Sequence, residues 1–201
     1  MGMYLSIHQV SDATIERLHA DPPLAFRVTH PDQPDYEASV RRERQPRPGL
    51  FARVFRGARA EPPPVPPPFE LPPDEGDMGM DSDFEKSWGG LHYLLTGTVY
   101  EGEPPLGFLM YGRELEARDG ESPLITHGSA ETRRIAEALV ALSDEEARRR
   151  VNPAEMNRLD IYPGGWDDPQ HVEVLLEDFR RLRKTVSEVA GRGLGLLVSI
   201  S

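Results

Sequence analysis

The chain of 201 residues has no cysteine, so neither disulfide bonds nor cysteine-based zinc and redox sites can form. Its first eight residues, Met1-Gly-Met-Tyr-Leu-Ser-Ile-His8, lack the basic start and the apolar stretch of a signal peptide. The chain also lacks an apolar run near the roughly 20 residues that a bilayer crossing requires. We therefore expect a soluble cytoplasmic protein without a membrane span.

The usual motifs of enzymes and metal sites are missing as well. No glycine-rich loop opens a helix for phosphate, and no serine stands in a nucleophile elbow. The segment from Asp81 to Glu85 resembles the start of a calcium loop, but Lys86 stands where that loop needs glycine. Zinc is not expected, because no helical i, i+4 pair occurs among His8, His19, His30, His127 and His171. We predict no metal ion and no cofactor, assign no catalytic residue, and favour a non-enzymatic protein.

The chain has no net basic charge. Its formal charge is −11, which argues against a nucleic-acid role, because phosphate binding needs clustered Lys and Arg. The charge is unevenly spread: residues 41–59 hold seven arginines and one acid, Glu43, a formal +6 that leaves −17 for the rest. An acidic domain attracts basic partners. A basic protein is therefore the partner class that we expect, with the oligomeric state left open.

Proline is concentrated in one region, with fourteen of the 20 prolines between Pro22 and Pro73. We predict a disordered Pro/Arg-rich insert over residues 22–80, which divides a single globular domain into residues 1–21 and 81–201. Within the insert, Pro62–Pro73 favours a polyproline II conformation. Residues 50–59 have helical spacing of apolar and basic side chains, which suits either a short amphipathic helix or a linker.

Outside the insert, hydrophobic periodicity predicts an α+β domain of layered α/β type, with a small mixed sheet packed by several helices. Capping residues mark most helix starts. The closing strand is apolar on both faces, as in the centre of a sheet. The predicted strands are 3–8, 105–111 and 194–200, and the predicted helices begin near Ser11, Ser82, Ser129, Ser143 and Asn152, with a long last helix over 172–189.

The most informative stretch is Lys86-Ser-Trp-Gly-Gly-Leu-His-Tyr-Leu-Leu-Thr-Gly97. It is predicted to be helical as far as Leu95, with Gly97 as the C-terminal stop. Two adjacent glycines inside a helix cost about 1 kcal/mol each relative to alanine. Gly89 and Gly90 therefore indicate a close approach of other atoms to the helix backbone.

Five groups of residues share a family pattern: Met1-Gly-Met3, Lys86-Ser-Trp88 with Leu91-His-Tyr-Leu-Leu-Thr-Gly97, Pro105-Leu106, Asp160-Ile-Tyr-Pro163 and Trp166. Together they resemble the YfbM-like family, bacterial proteins with a domain of unknown function. The resemblance covers roughly residues 1–20 and 81–201, and it implies a compact α/β domain without established catalytic residues. One departure is Gly89, where the family commonly has histidine.

The best candidate for acid–base chemistry is His92, because histidine titrates near neutral pH. It would need an orienting carboxylate, for which Asp160 or Glu85 could serve. The alternative is a core histidine that packs beside Trp88 and bonds a backbone carbonyl. An aromatic pocket with Asp160 as its polar group is also open, against a core role for the same rings. The ligand- or partner-binding candidates are Trp88, His92, Tyr93, Asp160, Tyr162 and Trp166.

Three functions compete. The first, which we favour, is a non-catalytic protein-binding module with an acidic surface, which neutralises or modulates a basic partner. The second is a small-molecule binder or enzyme that uses the region of Trp88, His92 and residues 160–166. The third is a scaffold that presents Pro62–Pro73 as a polyproline ligand. The second function predicts that His92→Ala removes ligand binding with little loss of stability.

Overall fold

A computed structural model describes residues 3–33, 37, 69–76, 78–79, 83–119 and 122–201. Within these residues the chain forms seven α-helices and four strands, and short 3₁₀ turns at Pro22–Leu24 and Glu85–Ser87 precede two of the helices. The strands are β1 (Leu5–Val10), β2 (Arg113–Asp119), β3 (Ser122–His127) and β4 (Gly195–Ile200). The helices are α1 (Asp12–Ala20), α2 (Ala25–Thr29), α3 (Trp88–Thr96), α4 (Ser129–Ala141), α5 (Asp144–Arg150), α6 (Pro153–Arg158) and α7 (Pro169–Gly191).

The four strands form one sheet in the order β1-β4-β3-β2. All three pairings are antiparallel, with Leu5 opposite Ile200 and Ile125 opposite Val198. The α+β fold class is confirmed, but the sheet is antiparallel in the described residues and not mixed. β4 lies between β1 and β3 with all six of its residues buried, so its central position is confirmed as well.

The sheet has a hydrophobic core on each face. Alternate residues of β4 enter different cores, with Leu196 and Val198 in one and Leu197 in the other, as the period of two in a strand requires. The larger core lies under α3, α4 and α7, and the smaller core is closed by α1 and α2. The domain is therefore layered, with helices over both faces of the sheet.

Capping chemistry explains where several helices begin. The side chain of Ser11 accepts a hydrogen bond from the backbone N–H of Thr14 at the start of α1, and Ser143 does the same for Glu146 at the start of α5. Gly97 ends α3 in the left-handed conformation with φ of 75°, as predicted. The helix begins at Trp88 and not near Ser82, which lies outside the described residues.

The prediction of a strand over residues 105–111 is wrong. These residues form consecutive turns, in which the N–H of Tyr111 bonds the carbonyl of Gly107 at 3.1 Å. Phe108 and Leu109 are nevertheless buried. The apolar run therefore indicated burial, which turns provide as well as a strand does.

The predicted insert is folded at both of its ends. At one end α2 follows the first turn after Pro22 and buries Phe26 in the smaller core. At the other end Phe69 is buried, with the guanidinium of Arg17 4.6 Å from its ring centroid, and Gly76 bridges to Gln9 of β1. The globular domain thus extends past residue 21 and resumes before residue 81. The arginine-rich segment 41–59 lies outside the described residues.

None of the helices in the described parts of the chain combines the length and the apolar character that a membrane crossing needs.

Candidate functional site

Two glycines at the start of α3 let a loop pack directly on the helix backbone. A Cβ atom at Gly89 would lie 2.7 Å from the carbonyl oxygen of Tyr162, and one at Gly90 would lie 2.6 Å from Cη2 of Trp166. Both distances are too short for a carbon contact in a packed interior. The predicted close approach is confirmed. We call α3 together with the loop of residues 160–166 the helix–loop contact.

Aromatic side chains fill the helix–loop contact, and two of them form hydrogen bonds with backbone groups, whereas Nε1 of Trp88 has no partner among the described residues. The rings of Trp88 and Tyr162 are stacked, with centroids 5.4 Å apart and an interplanar angle of 22°. The indole Nε1 of Trp166 donates to the carbonyl of Ile161 at 2.7 Å, and the backbone N–H of Met3 donates to the Tyr162 hydroxyl at 3.2 Å. Such internal partners are typical of aromatic residues that anchor a core.

His92 is fully buried, with 0% of its surface exposed. Its Nε2 donates to the backbone carbonyl of Glu101 at 3.0 Å, and its Nδ1 has no partner among the described residues. Burial lowers the pKa of His92 from its ordinary 6.5, against the opposing effect of the bond to Glu101. The ring is therefore a neutral core histidine that bonds a backbone carbonyl, which is the structural alternative stated above.

The two remaining candidates lie in different surroundings. Tyr93 is buried, and burial followed by the charge of Glu155 raises the pKa of its hydroxyl. Asp160 is exposed, in the left-handed conformation with φ of 55°, and its N–H bonds the carbonyl of Asn157 at 3.1 Å. The structure thus brings Trp88, Tyr162 and Trp166 together but leaves Asp160 at the surface.

A cleft of about 380 Å³ opens beside the helix–loop contact, between the 3₁₀ turn Glu85–Ser87 and α7. We call it the Asp178 cleft. Of the six candidates, only Trp166 belongs to its lining. Its walls are formed by Asp83, Phe84, Glu85, Lys86, Ser87, Pro163, Trp166, His171, Val174, Leu175, Asp178 and Arg181.

Asp178 is the most constrained polar group of this cleft. The Ser87 hydroxyl donates to its Oδ2, and Nη2 of Arg181 donates to its Oδ1 at 2.6 Å. Only 13% of the Asp178 side chain is exposed. Burial raises the pKa of this carboxyl, opposed by the hydrogen bond from Ser87 and by the charge of Arg181. A half-buried carboxyl with a raised pKa in a concave site is a typical mark of a functional position.

α7 supplies five of the twelve residues that line the cleft. His171, Val174, Asp178 and Arg181 follow one another at helical spacings of three or four residues, so they share a face. The hydrophobic period of α7 marks only the apolar stripe that faces the core, so it did not predict this neighbouring polar stripe. The signal that could have revealed it is the acid–base pair Asp178 and Arg181 at i, i+3.

Acidic groups outnumber cations in the cleft. Its lining includes the carboxylates of Asp83, Glu85 and Asp178 and the cations of Lys86 and Arg181. Both cations also contact aromatic rings: Arg181 lies 4.7 Å from the ring centroid of Phe84, and Lys86 lies 6.0 Å from that of Tyr4. The cleft therefore combines carboxylates with aromatic and aliphatic surface.

A second cleft of about 430 Å³ lies on the other side of Trp166. The guanidinium of Arg148 and the carboxylate of Glu173 form two parallel hydrogen bonds of 2.8 Å in its wall. Here each charge is satisfied by the other, and both side chains are about half exposed. Exposed pairs of this kind contribute at most about 1 kcal/mol to stability, and here the two charged groups already bind each other. This cleft therefore offers a ligand fewer open hydrogen-bond positions than the Asp178 cleft does.

The arrangement is suited to binding polar and cationic groups. Ser87 uses its proton on a carboxylate, and Nδ1 of His171 is bonded to the carbonyl of Gly165 at 2.9 Å. A serine nucleophile needs a base within reach. In the described geometry the group within reach of the Ser87 hydroxyl is the Asp178 carboxylate, which accepts its hydrogen bond. Across the described part of the chain, no three His, Asp or Glu side chains are grouped to hold a metal ion.

A comparison with known protein families identifies the family of this chain. The sequence profile of the family described as a domain of unknown function, DUF1877, matches residues 1–199, and the chain belongs to that family. The match runs through the whole predicted insert. It confirms the expected YfbM-like family.

A solved structure has the same fold. It is described as the crystal structure of a protein of unknown function, YfbM, from Escherichia coli. The similarity has a TM-score of 0.60 at 17% identity, and it covers 98% of this chain and 99% of the other. No curated protein matches the chain. The comparisons therefore establish the family and the fold.

Proposed function

We propose that the protein is a non-catalytic binding module that receives a basic segment of a partner protein in the Asp178 cleft. The observation that carries the proposal is Asp178 itself, a largely buried carboxylate at a concave site. Two further carboxylates, Asp83 and Glu85, line the same cleft. Opposite charge favours encounter and orientation of a partner, and the chain as a whole is acidic, with a formal charge of −11.

The binding role accounts for the apolar part of the cleft as well. Val174 on α7 is 46% exposed and lines the cleft. Together with Pro163 and Trp166 it gives the cleft an apolar wall beside the carboxylates. A long basic side chain has both parts, an alkyl stem and a charged head. Neutralising or modulating a basic partner is the form of this role that we propose.

The test is an affinity pull-down from a lysate of the source organism with three full-length baits: wild type, Asp178→Asn and Glu177→Gln. Glu177 is the matched control, because it is the exposed neighbour of Asp178 on α7 and is absent from the cleft lining. We expect a basic protein that is retained by wild type and Glu177→Gln and lost with Asp178→Asn. Equal recovery of every basic protein by all three baits would refute the proposal.

The size of the cleft favours one alternative, a small-molecule binder. Its volume of about 380 Å³ lies within the range of roughly 300–1,000 Å³ that is usual for ligand pockets. A metabolite screen by thermal shift, with the same two variants, would separate the two. A stabilising compound whose effect disappears with Asp178→Asn would favour the alternative, provided that no basic protein is captured.

A further inference from the structure

We propose that the group bound at the Asp178 cleft is the guanidinium of a partner's arginine side chain. This inference rests on the proposed function and specifies the partner's chemistry. Three observations support it. The Asp178 carboxylate can accept further hydrogen bonds, apolar residues line the cleft beside it, and the guanidinium of Arg181 already contacts both the carboxylate and an aromatic ring.

The Asp178 carboxylate has acceptor capacity left. A carboxylate offers about four lone-pair sites on its two oxygens. Among the described residues each oxygen of Asp178 accepts one hydrogen bond, from Ser87 on Oδ2 and from Arg181 on Oδ1. Each oxygen therefore has one further position for a donor. Two donors held side by side on a planar group match that arrangement, and the arginine fork is such a group.

The cleft already binds one guanidinium. Arg181 donates to Asp178 at 2.6 Å and at the same time lies over the ring of Phe84, 4.7 Å from its centroid. A carboxylate in front and an aromatic face below are the two contacts that guanidinium groups prefer. Arg181 thus shows which ligand chemistry this pocket stabilises, with a residue of the chain itself as the example.

The apolar part of the lining suits the stem of an arginine. Pro163, Trp166, Val174 and Leu175 line the cleft together, and an alkyl stem buries its methylene groups on such surface. A guanidinium is more weakly hydrated than an ammonium group, so its transfer into a half-buried cleft costs less. Asp83 and Glu85 add negative charge that offsets Lys86 and Arg181.

The experiment is calorimetric titration of the full chain with three capped tripeptides that have glycine at both ends. Their central residues are arginine, lysine and citrulline, the last of which keeps the shape of arginine without its charge. The proteins are wild type, Asp178→Asn and Glu177→Gln, each checked for its melting temperature. We expect the arginine peptide to bind wild type and Glu177→Gln alike, and Asp178→Asn about ten-fold more weakly or worse.

The citrulline peptide keeps the test valid if Asp178→Asn should fold poorly, because it changes the ligand and not the protein. We expect it to bind wild type about ten-fold more weakly than the arginine peptide. Citrulline binding within about two-fold of arginine, or tighter binding of lysine, would overturn the inference. If the pull-down still captures a basic protein in an Asp178-dependent way, only the arginine inference fails and the proposed function stands. If neither the preference for arginine nor that capture is observed, the arginine inference and the proposed function are both refuted.

Discussion

The helix–loop contact and the Asp178 cleft are neighbours that differ in every physical respect. Trp88 and Ser87 are adjacent in the chain, yet Trp88 stacks on Tyr162 in the core and Ser87 donates to Asp178 in the cleft. In the helix–loop contact most side chains are buried, and Nε2 of His92 and Nε1 of Trp166 donate to backbone carbonyls. The lining of the cleft instead includes three carboxylates, Asp83, Glu85 and Asp178, and the cations of Lys86 and Arg181. We therefore propose that the motif that identifies the family has mainly an architectural role and that the binding chemistry lies in the neighbouring cleft.

The largest expected effect separates a core histidine from a functional one. His92→Ala leaves a cavity and removes the donor to the Glu101 carbonyl, so we expect the free energy of unfolding to fall by about 2–4 kcal/mol. Urea denaturation measures this loss. Val140→Ala is the control, because Val140 is 62% exposed and should change stability by less than about 0.5 kcal/mol. A stable His92→Ala protein with altered ligand binding would reverse the comparison.

The second effect tests the close approach at α3. In Gly89→Ala the new methyl group would meet the Tyr162 carbonyl at 2.7 Å, and overpacking of this kind costs about 1–3 kcal/mol. Gly191→Ala is a matched control near the end of α7, where nothing lies within 4 Å of the added atom. That control should gain about 0.5–1 kcal/mol. Chemical denaturation measures the change in the free energy of unfolding for each variant. An increase for both variants would exclude the predicted contact at Gly89.

The third effect is a dependence of stability on pH. Burial lowers the pKa values of both His92 and His127 from the ordinary 6.5. The unfolded chain therefore takes up protons that the native chain resists. The stability that these residues contribute is present above pH 6.5 and is lost as the pH falls toward their native pKa values.

Each histidine contributes at most about 1.4 kcal/mol per pH unit to this slope. We expect the difference in unfolding free energy between wild type and His92→Ala to shrink as the pH is lowered from about 7 to about 5. Contributions from carboxylates are common to both proteins and cancel in the difference. Parallel curves for the two proteins across this range would contradict the burial of a neutral imidazole.

The smallest expected effect is at the cleft. In Asp178→Asn the cost of burying a carboxylate disappears along with its ion pair with Arg181, whose side chain is 29% exposed, so we expect a change below about 1 kcal/mol near neutral pH. Because the native pKa of Asp178 is raised, its favourable contribution exists at low pH and is lost as the pH rises through that value. The stability of Asp178→Asn relative to wild type should therefore increase with pH. Denaturation curves at several pH values measure this difference in unfolding free energy. A decrease of the stability of Asp178→Asn relative to wild type with rising pH would contradict the raised pKa.

Local patterns predicted the parts of the fold that depend on local physics. The cap at Ser11, the stop at Gly97 and the central position of β4 each follow from a few neighbouring residues. The β2–β3 hairpin was missed because β2 is an edge strand that buries only alternate residues, Leu115 and Ala117 among charged ones. Its short alternation was the one available signal.

The candidate site could be predicted only in part, because it depends on contacts between distant segments. Gly89 and Gly90 indicated a close approach, but the identity of the loop that approaches required the fold. Asp178 and Ser87 are 91 positions apart, and no periodicity relates such residues. Trp166 was identified from its residue type, and it is the one predicted residue that reaches the cleft lining.

The most direct test compares His92→Ala and Asp178→Asn as binders of the capped arginine tripeptide. Calorimetric titration is performed below the melting temperature of both proteins, so that each is folded. If the Asp178 cleft is the binding site and the helix–loop contact is architecture, His92→Ala binds like wild type and Asp178→Asn binds about ten-fold more weakly or worse. Full binding by Asp178→Asn together with loss of binding by His92→Ala would contradict this account and place the chemistry in α3.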